Sequence, residues 1–244
     1  MRFRDIFKSD PEEQLPRCSA VILAAGYSQR MGIDKLRMEL EGVPVLLRTL
    51  QAFEASPLID EIVIVTRMDK LEETAALCKN GGITKVSQVI CGGKTRAESA
   101  LAGVSATRPK AKLIAIHDGA RPLVTSDVIL RTVYAAEEYM AAVPVINSAD
   151  TLKLLDDKGN IAATVDRERT LRVQTPQVFK ADLIKGALTA AVDRGLALTD
   201  DSAAVEMMGV KTRAVQGDED NIKITSPRDL YIASAILKMR KESV

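Results

Sequence analysis

A chain of 244 residues is the size of one large α/β domain, because single hydrophobic cores stop growing at about 250 to 300 residues. Its 46% hydrophobic and 27% charged content excludes disordered, collagenous and coiled-coil chains. With 34 Lys and Arg against 33 Asp and Glu, the net charge is +1, so no whole-molecule field holds nucleic acid or an anionic membrane, and an anionic ligand must be met by a local cluster.

Residues 1–17 mix charges of both signs with two prolines and carry no apolar stretch long enough for a signal peptide. They read as an extension to a single domain over residues 18–244. Cys18, Cys78 and Cys91 are odd in number and far apart, which fits neither a disulfide framework nor a zinc motif and points to a reducing, cytoplasmic setting. No apolar run is longer than a strand, so no membrane partner is expected.

The run from Cys18 to Ala25, CSAVILAA, is almost unbroken in its apolarity and suits a central parallel strand covered on both faces. Similar runs recur at Glu61 to Thr66, Lys112 to Ile116 and Ala141 to Ile146, with helical patterns between them. That alternation predicts a doubly wound, mostly parallel α/β sheet. In such a sheet, ligands bind beyond the carboxyl ends of the strands, which directs attention to the loops after Ala25, Ile90 and Ile116.

The first of these loops runs from Ala24 to Lys35. Gly26 and Gly32 allow close backbone approach to a phosphate chain, while Arg30 and Lys35 add positive charge. A dinucleotide fingerprint, G-x-G-x-x-G, is absent, since Gly26 is followed by Tyr27 and Ser28, which disfavours a nicotinamide oxidoreductase. The second loop, Gly92-Gly93-Lys94-Thr95, looks like the end of a P-loop, but that motif needs glycine where Gln88 stands. What remains is a glycine pair at a helix start capped by Thr95 and Glu98, with Lys94, Arg96 and Ser99 in or near the first turn, a setting suited to a phosphate or a polar ligand edge.

The third loop is His117-Asp118-Gly119-Ala120-Arg121-Pro122. Asp118 offers the hard oxygen ligand that Mg²⁺ prefers when it is shared with phosphate oxygens, and Arg121 can balance or grip. His117, the sole histidine, reads as structural, so no mechanism is built on a histidine base.

Residues 147–174 break the alternation. Two short strands, Thr151 to Leu155 and Ile161 to Val165, flank the turn Asp156-Asp157-Lys158-Gly159-Asn160 and predict a projecting β-arm. An isolated two-stranded ribbon is marginal in water, so the arm is expected to pack on something, such as a second subunit. Arg167 and Arg169 lie at its base. Asp200 and Asp201, ahead of a helical stretch, are read as complementing a helix dipole rather than binding metal. Lys223 stands just before a helix opened by Ser226, Pro227 and Asp229.

Taken in order, LAAGYSQRMGIDK, GGKTRAESAL, HDGARP, ADTLK, TVDRE, QTPQVF, TDDSAAVE and DNIKIT with SPRDL make the chain resemble the 2-C-methyl-D-erythritol 4-phosphate cytidylyltransferase family over roughly residues 18–240. The resemblance implies a nucleotidyltransferase variant of the doubly wound fold, CTP and a sugar-alcohol phosphate as substrates, Mg²⁺, and a homodimer clasped through the arm. It makes Arg30 and Lys35 the transition-state cations and lets Arg167 and Lys223 position the attacking phosphate. It places Thr151, Asp118 and Arg121 against the acceptor or, for Asp118, the metal, and Ala24, Ala25, Gly26, Gly93, Lys94 and Ser99 in the CTP pocket. Two departures stand out: Asp34-Lys35 replaces the family's usual Pro-Lys in a shorter loop, and Lys94 replaces an acidic residue. Alternatives are a ribitol 5-phosphate cytidylyltransferase, another sugar-phosphate nucleotidyltransferase, or a nucleotide-binding regulator without activity.

The chemistry agrees with the residue types. Two unit charges about 5 Å apart repel by roughly 3 kcal/mol at an effective dielectric near 20, so cations must bring two phosphates together. A phosphate monoester, with a second pKa of about 6, is already a nucleophilic dianion at neutral pH. No general base is required.

Overall fold

Successive residues of a strand face opposite sides of a sheet, and β1 (Cys18–Leu23) buries both. Cys18, Ala20 and Ile22 join one core cluster and Val21 the other, which is why the run shows no polar alternation. The structure, a computed structural model, describes residues 16–26 and 34–242. Arg30, within 27–33, lies outside the described residues, as do residues 1–15 of the extension.

In chain order there follow a small hairpin of β2 (Glu39–Leu40) and β3 (Val43–Pro44), then α1 (Val45–Ala55), β4 (Ile59–Thr66), α2 (Leu71–Asn80), β5 (Val86–Cys91), α3 (Arg96–Ser105), β6 (Leu113–Asp118) and α4 (Ser126–Tyr139). The second half adds β7 (Ala141–Asn147), β8 (Lys153–Leu155), β9 (Ile161–Thr164), β10 (Leu171–Val173), β11 (Gln177–Lys180) and α5 (Ala181–Asp193). It ends with α6 (Ser202–Glu206), β12 (Arg213–Gln216) and α7 (Pro227–Glu242).

Among the described residues, eight strands form one sheet in the order β10-β7-β11-β6-β1-β4-β5, with β12 on the remaining side of β7. β1 is parallel to β4 and β6, β4 to β5, and β12 to β7, whereas β10 and β11 run antiparallel to β7. The expected doubly wound, mostly parallel sheet is therefore present. Helices cover both faces: Leu50 and Phe53 of α1, Val128 and Val133 of α4 and Ile236 of α7 pack on one. Ala100 and Val104 of α3, Ile184 and Leu188 of α5 and Val205 of α6 pack on the other. No helix among the described residues is long and apolar enough to cross a membrane.

Strand boundaries shift by a few residues from the sequence reading. β1 stops at Leu23, although Ala24 N still donates to Val65 O at 2.7 Å, and β6 runs on through His117 to Asp118. The hairpin of the arm forms as β8 and β9, with Lys153 opposite Thr164 and Leu155 opposite Ile161. Asp156 closes its turn by accepting from the backbone N–H of Lys158 and Asn160, and Gly159 takes the positive φ of 83° that the turn needs.

Candidate active site

The chain leaves β1 toward β4 and β5 on one side and later returns to place β6 on the other. This is the topological switch point at which such sheets open a crevice. Leu23 lies opposite Asp118 at its lip. A cavity of about 380 Å³ occupies it, lined by Ala24, Ala25 and Gly26 after β1, by Gly93, Lys94, Thr95, Arg96 and Ser99 around the start of α3, and by Lys35, Asp118, Ala120 and Lys223.

Asp118 is the hub. Its carboxylate stands 2.9 Å from Lys223 Nζ, 3.6 Å from Arg121 Nε and 3.9 Å from Arg96 Nη2. Burial works against its charge, but Lys223, Arg96 and Arg121 outweigh that and hold it well below the usual carboxylate range. Among the described residues Lys35, Lys94, Arg96, Arg121 and Lys223 outnumber the nearby carboxylates of Asp118, Asp200, Asp201 and Glu98, so the crevice is a local cationic cluster in a nearly neutral molecule.

His117 lies behind this cluster, fully buried and packed against the Phe53 ring at 4.8 Å between centroids. Thr175 Oγ accepts from Asp118 N at 3.1 Å, which leaves its proton for His117 Nδ1 at 3.0 Å; the Nε2–H then donates to Arg121 O at 3.3 Å. Desolvation pushes the imidazole down to about 3, so it stays neutral and serves as a brace for the Asp118 turn.

At α3, Thr95 and Glu98 form the capping box read from the sequence. Glu98 folds back so that its Oε2 accepts from Lys94 N at 2.6 Å, and a Cβ at position 93 would stand 2.3 Å from Glu98 Cβ, which is why glycine sits there. Gly93 N in turn donates to Ser99 Oγ. These amides are occupied from within the loop, and what the loop offers a ligand is the side chains of Lys94 and Arg96 rather than a bare helix N-terminus.

The chain matches the 2-C-methyl-D-erythritol 4-phosphate cytidylyltransferase family over residues 18–239. It is similar to the proteins of that name from Caldanaerobacter subterraneus subsp. tengcongensis, 39% identical across 90% of this chain and 98% of that one, and from Dehalococcoides mccartyi, 40% identical across 91% and 96%. Its fold is similar to the crystal structure of 4-diphosphocytidyl-2C-methyl-D-erythritol synthase from Anaerococcus prevotii DSM 20548, with a TM-score of 0.82, 32% identity, and coverage of 91% and 96%. The chain belongs to the 2-C-methyl-D-erythritol 4-phosphate cytidylyltransferase family.

Not all the residues assigned through that family likeness meet in the crevice. Ala24, Ala25, Gly26, Lys35, Gly93, Lys94, Ser99, Asp118 and Lys223 line it, and Arg121 reaches Asp118 from its edge. Thr151 and Arg167 lie instead at the base of the arm, where Arg167 donates to Ser148 O at 3.2 Å and Ala149 O at 2.7 Å. Arg30 lies outside the described residues.

In this cytidylyltransferase-family chain, one site residue, singled out in the sequence for its place in the first turn of a helix, received no role through the family likeness. Arg96 lines the cavity and meets Asp201 through two bonds of 2.7 Å each, while Gln177 Oε1 accepts from the backbone N–H of Asp201 and Ser202. Burial opposes the guanidinium charge, but Asp201, with Asp118 and Asp200, raises Arg96 above its ordinary value. The sequence did hold a signal: a cation in the first turn of a helix opposes the macrodipole and needs a partner elsewhere. The reading of Asp200 and Asp201 is corrected in part. Asp200 does cap α6, accepting from Ala203 N at 3.0 Å, whereas Asp201, with no exposure, pairs with Arg96 because an acid so buried requires a cation.

Proposed function

We propose that the crevice binds CTP beside the phosphate of 2-C-methyl-D-erythritol 4-phosphate and transfers the cytidylyl group. The chain is a nucleotidyltransferase of that family, and the products are 4-diphosphocytidyl-2-C-methyl-D-erythritol and pyrophosphate. The observation that carries this reading is the convergence of Lys223, Arg121 and Arg96 on Asp118 at the switch point of the sheet.

An acceptor phosphate oxygen forms a bond to the α-phosphorus of CTP as the bond to the bridging oxygen breaks in line, and that electron pair leaves with pyrophosphate. Catalysis rests on position and on neutralising charge. Lys35, Lys94 and Arg96 are placed to meet the triphosphate, with Ala24, Ala25, Gly26, Gly93 and Ser99 shaping the pocket. Lys223 and Arg121, anchored by Asp118, are placed to meet the acceptor. Arg30 keeps the transition-state role that the family likeness gives it.

Mg²⁺ commonly keeps one or two carboxylates and takes its other ligands from substrate phosphates and water. Asp118, a single ionised carboxylate at the cavity, fits that donor set. Among the described residues no group of three or more His, Cys, Asp or Glu could hold a metal without substrate. When bound, the ion would supply further neutralisation of phosphate charge.

Thr151 and Arg167 complete the acceptor site in this reading if the arm reaches a second copy of the chain, so the active species is a homodimer. The free thiols of Cys18, Cys78 and Cys91 support a cytoplasmic location. The ribitol 5-phosphate alternative is not favoured by the family match. A pyrophosphate-release assay with CTP, offering methylerythritol phosphate and ribitol phosphate separately, tests the assignment. Release with the first and little with the second is expected; release with the second alone overturns it, and CTP binding with release from neither marks a regulator.

A further inference from the structure

The loop that carries Lys223 leaves β12 at Gly217 and has no helix or strand until α7. Such a segment does not by itself hold an ammonium 2.9 Å from Asp118. Two loops dock on the middle of β7. Gln174 N donates to Pro144 O and Gly217 N to Val145 O, both at 2.8 Å. Because consecutive carbonyls along a strand point to opposite edges, the loops approach β7 from opposite sides.

The side chain of Gln174, 4% exposed, reaches from the one loop to the other. Its Nε2 donates to Asp218 O at 2.7 Å and its Oε1 accepts from Asp218 N at 3.2 Å. One planar amide thereby satisfies both polar groups of a loop residue, as a neighbouring strand would. The glycine before it is required by the same contact, since a Cβ at position 217 would stand 2.6 Å from Gln174 Oε1. From there the loop is tied onward: Asn221 Nδ2 donates to Thr175 O at 2.9 Å, Arg121 Nη1 donates to Asn221 O at 2.6 Å, and Ile224 N donates to Ala120 O at 2.8 Å. Lys223 is thus bracketed by anchors that begin at Gln174.

We propose that Gln174 is a positioning residue for the acceptor phosphate, fixing the 217–225 loop so that Lys223 stands at Asp118. The inference rests on the reading that Lys223 meets the acceptor. Gln174 directly follows β10, the strand that returns from the arm, so one side chain links the seating of the arm to the placement of a cation in the crevice. It touches neither substrate and acts through the loop.

Two variants of the full chain test this by steady-state pyrophosphate release. Gln174→Met keeps the volume and removes the side-chain hydrogen bonds to Asp218 and Asn221, and Gln174→Glu keeps the acceptor and removes the donor. Each is expected to raise KM for methylerythritol phosphate by about tenfold or more, as a small misplacement of a binding group does. KM for CTP should stay within about twofold of the parent, which also shows that the cavity is folded. A parallel rise in both constants, or no rise in either, overturns the proposal. If the Met variant does not accumulate as folded protein, the Glu variant decides. Should the parent turn over ribitol phosphate and not methylerythritol phosphate, the acceptor reading fails while the Gln174 proposal is read from the same split with ribitol phosphate.

Discussion

Arg96 and Asp201 show how one pair can serve packing and a site together. Asp201 is fully buried, which pushes its carboxyl up, and its two 2.7 Å bonds to Arg96 oppose that shift. Removing one partner of a buried pair strands the other, at about 3 to 5 kcal/mol, whereas removing both can be nearly neutral. Arg96→Met is therefore expected to lose about 3 kcal/mol of stability in urea unfolding, toward the low end of that range because the guanidinium is partly exposed, and Arg96→Met with Asp201→Asn to recover most of it. A double-variant loss equal to the sum of the Arg96→Met and Asp201→Asn losses would show that the pair is not coupled. In the double variant the KM for CTP is expected to stay raised, because the cation proposed to meet the triphosphate is gone. Asp118 and Lys223 were legible from the sequence because each stands in a short polar segment next to a strand end or helix start. Arg96 was legible as a cation in the first turn of a helix, but its pairing was not, since its partner lies 105 positions away in a segment whose acids read as complementing a helix dipole.

At the scale of elements, local chemistry was the most readable. The T-x-x-E of Thr95 and Glu98 forms its capping box as written. At α7, Pro227 opens the helix and Asp229 accepts from Thr225 N at 2.7 Å and Ser226 N at 2.8 Å. These bonds outweigh the burial that opposes its charge and hold the Asp229 carboxyl below its ordinary range. A carboxylate whose folded pKa is depressed contributes stability above its unfolded value, near 3.9, and loses it as the pH falls through the folded value. Asp229→Ala should therefore cost about 1 kcal/mol at pH 7, the usual worth of a cap. The difference from the parent should shrink in acid; a gap that persists once the carboxyl is protonated would mean the side chain acts by packing. Less legible was the second half of the sheet. β10 and β12 span three and four residues, and each owes its place to pairing with β7 rather than to its own pattern. Non-local pairing decides such short strands.

The whole molecule leaves its arm uncovered. Leu155 and Ile161 face each other across the hairpin and are 66% and 65% exposed, and Leu154 is 57% exposed. A two-stranded ribbon gains little from its own pairing, and a cluster of exposed aliphatic side chains is the usual mark of a surface that another chain covers. The same arm holds Thr151 and Arg167 away from the crevice in which the sequence reading expects them, and under the proposed function a second copy of the chain resolves this by bringing one arm base to the other crevice. Sedimentation should then find the parent as a dimer and Leu155→Lys with Ile161→Lys as a monomer. Because the residues proposed to meet CTP belong to one chain, CTP binding by calorimetry is expected to survive in the monomer while turnover collapses. Arg167→Ala in the intact dimer should raise KM for the acceptor and spare that for CTP. A parent that sediments as a monomer with full activity would remove the arm from the site and leave Arg167 as a local clamp on the carbonyls of Ser148 and Ala149.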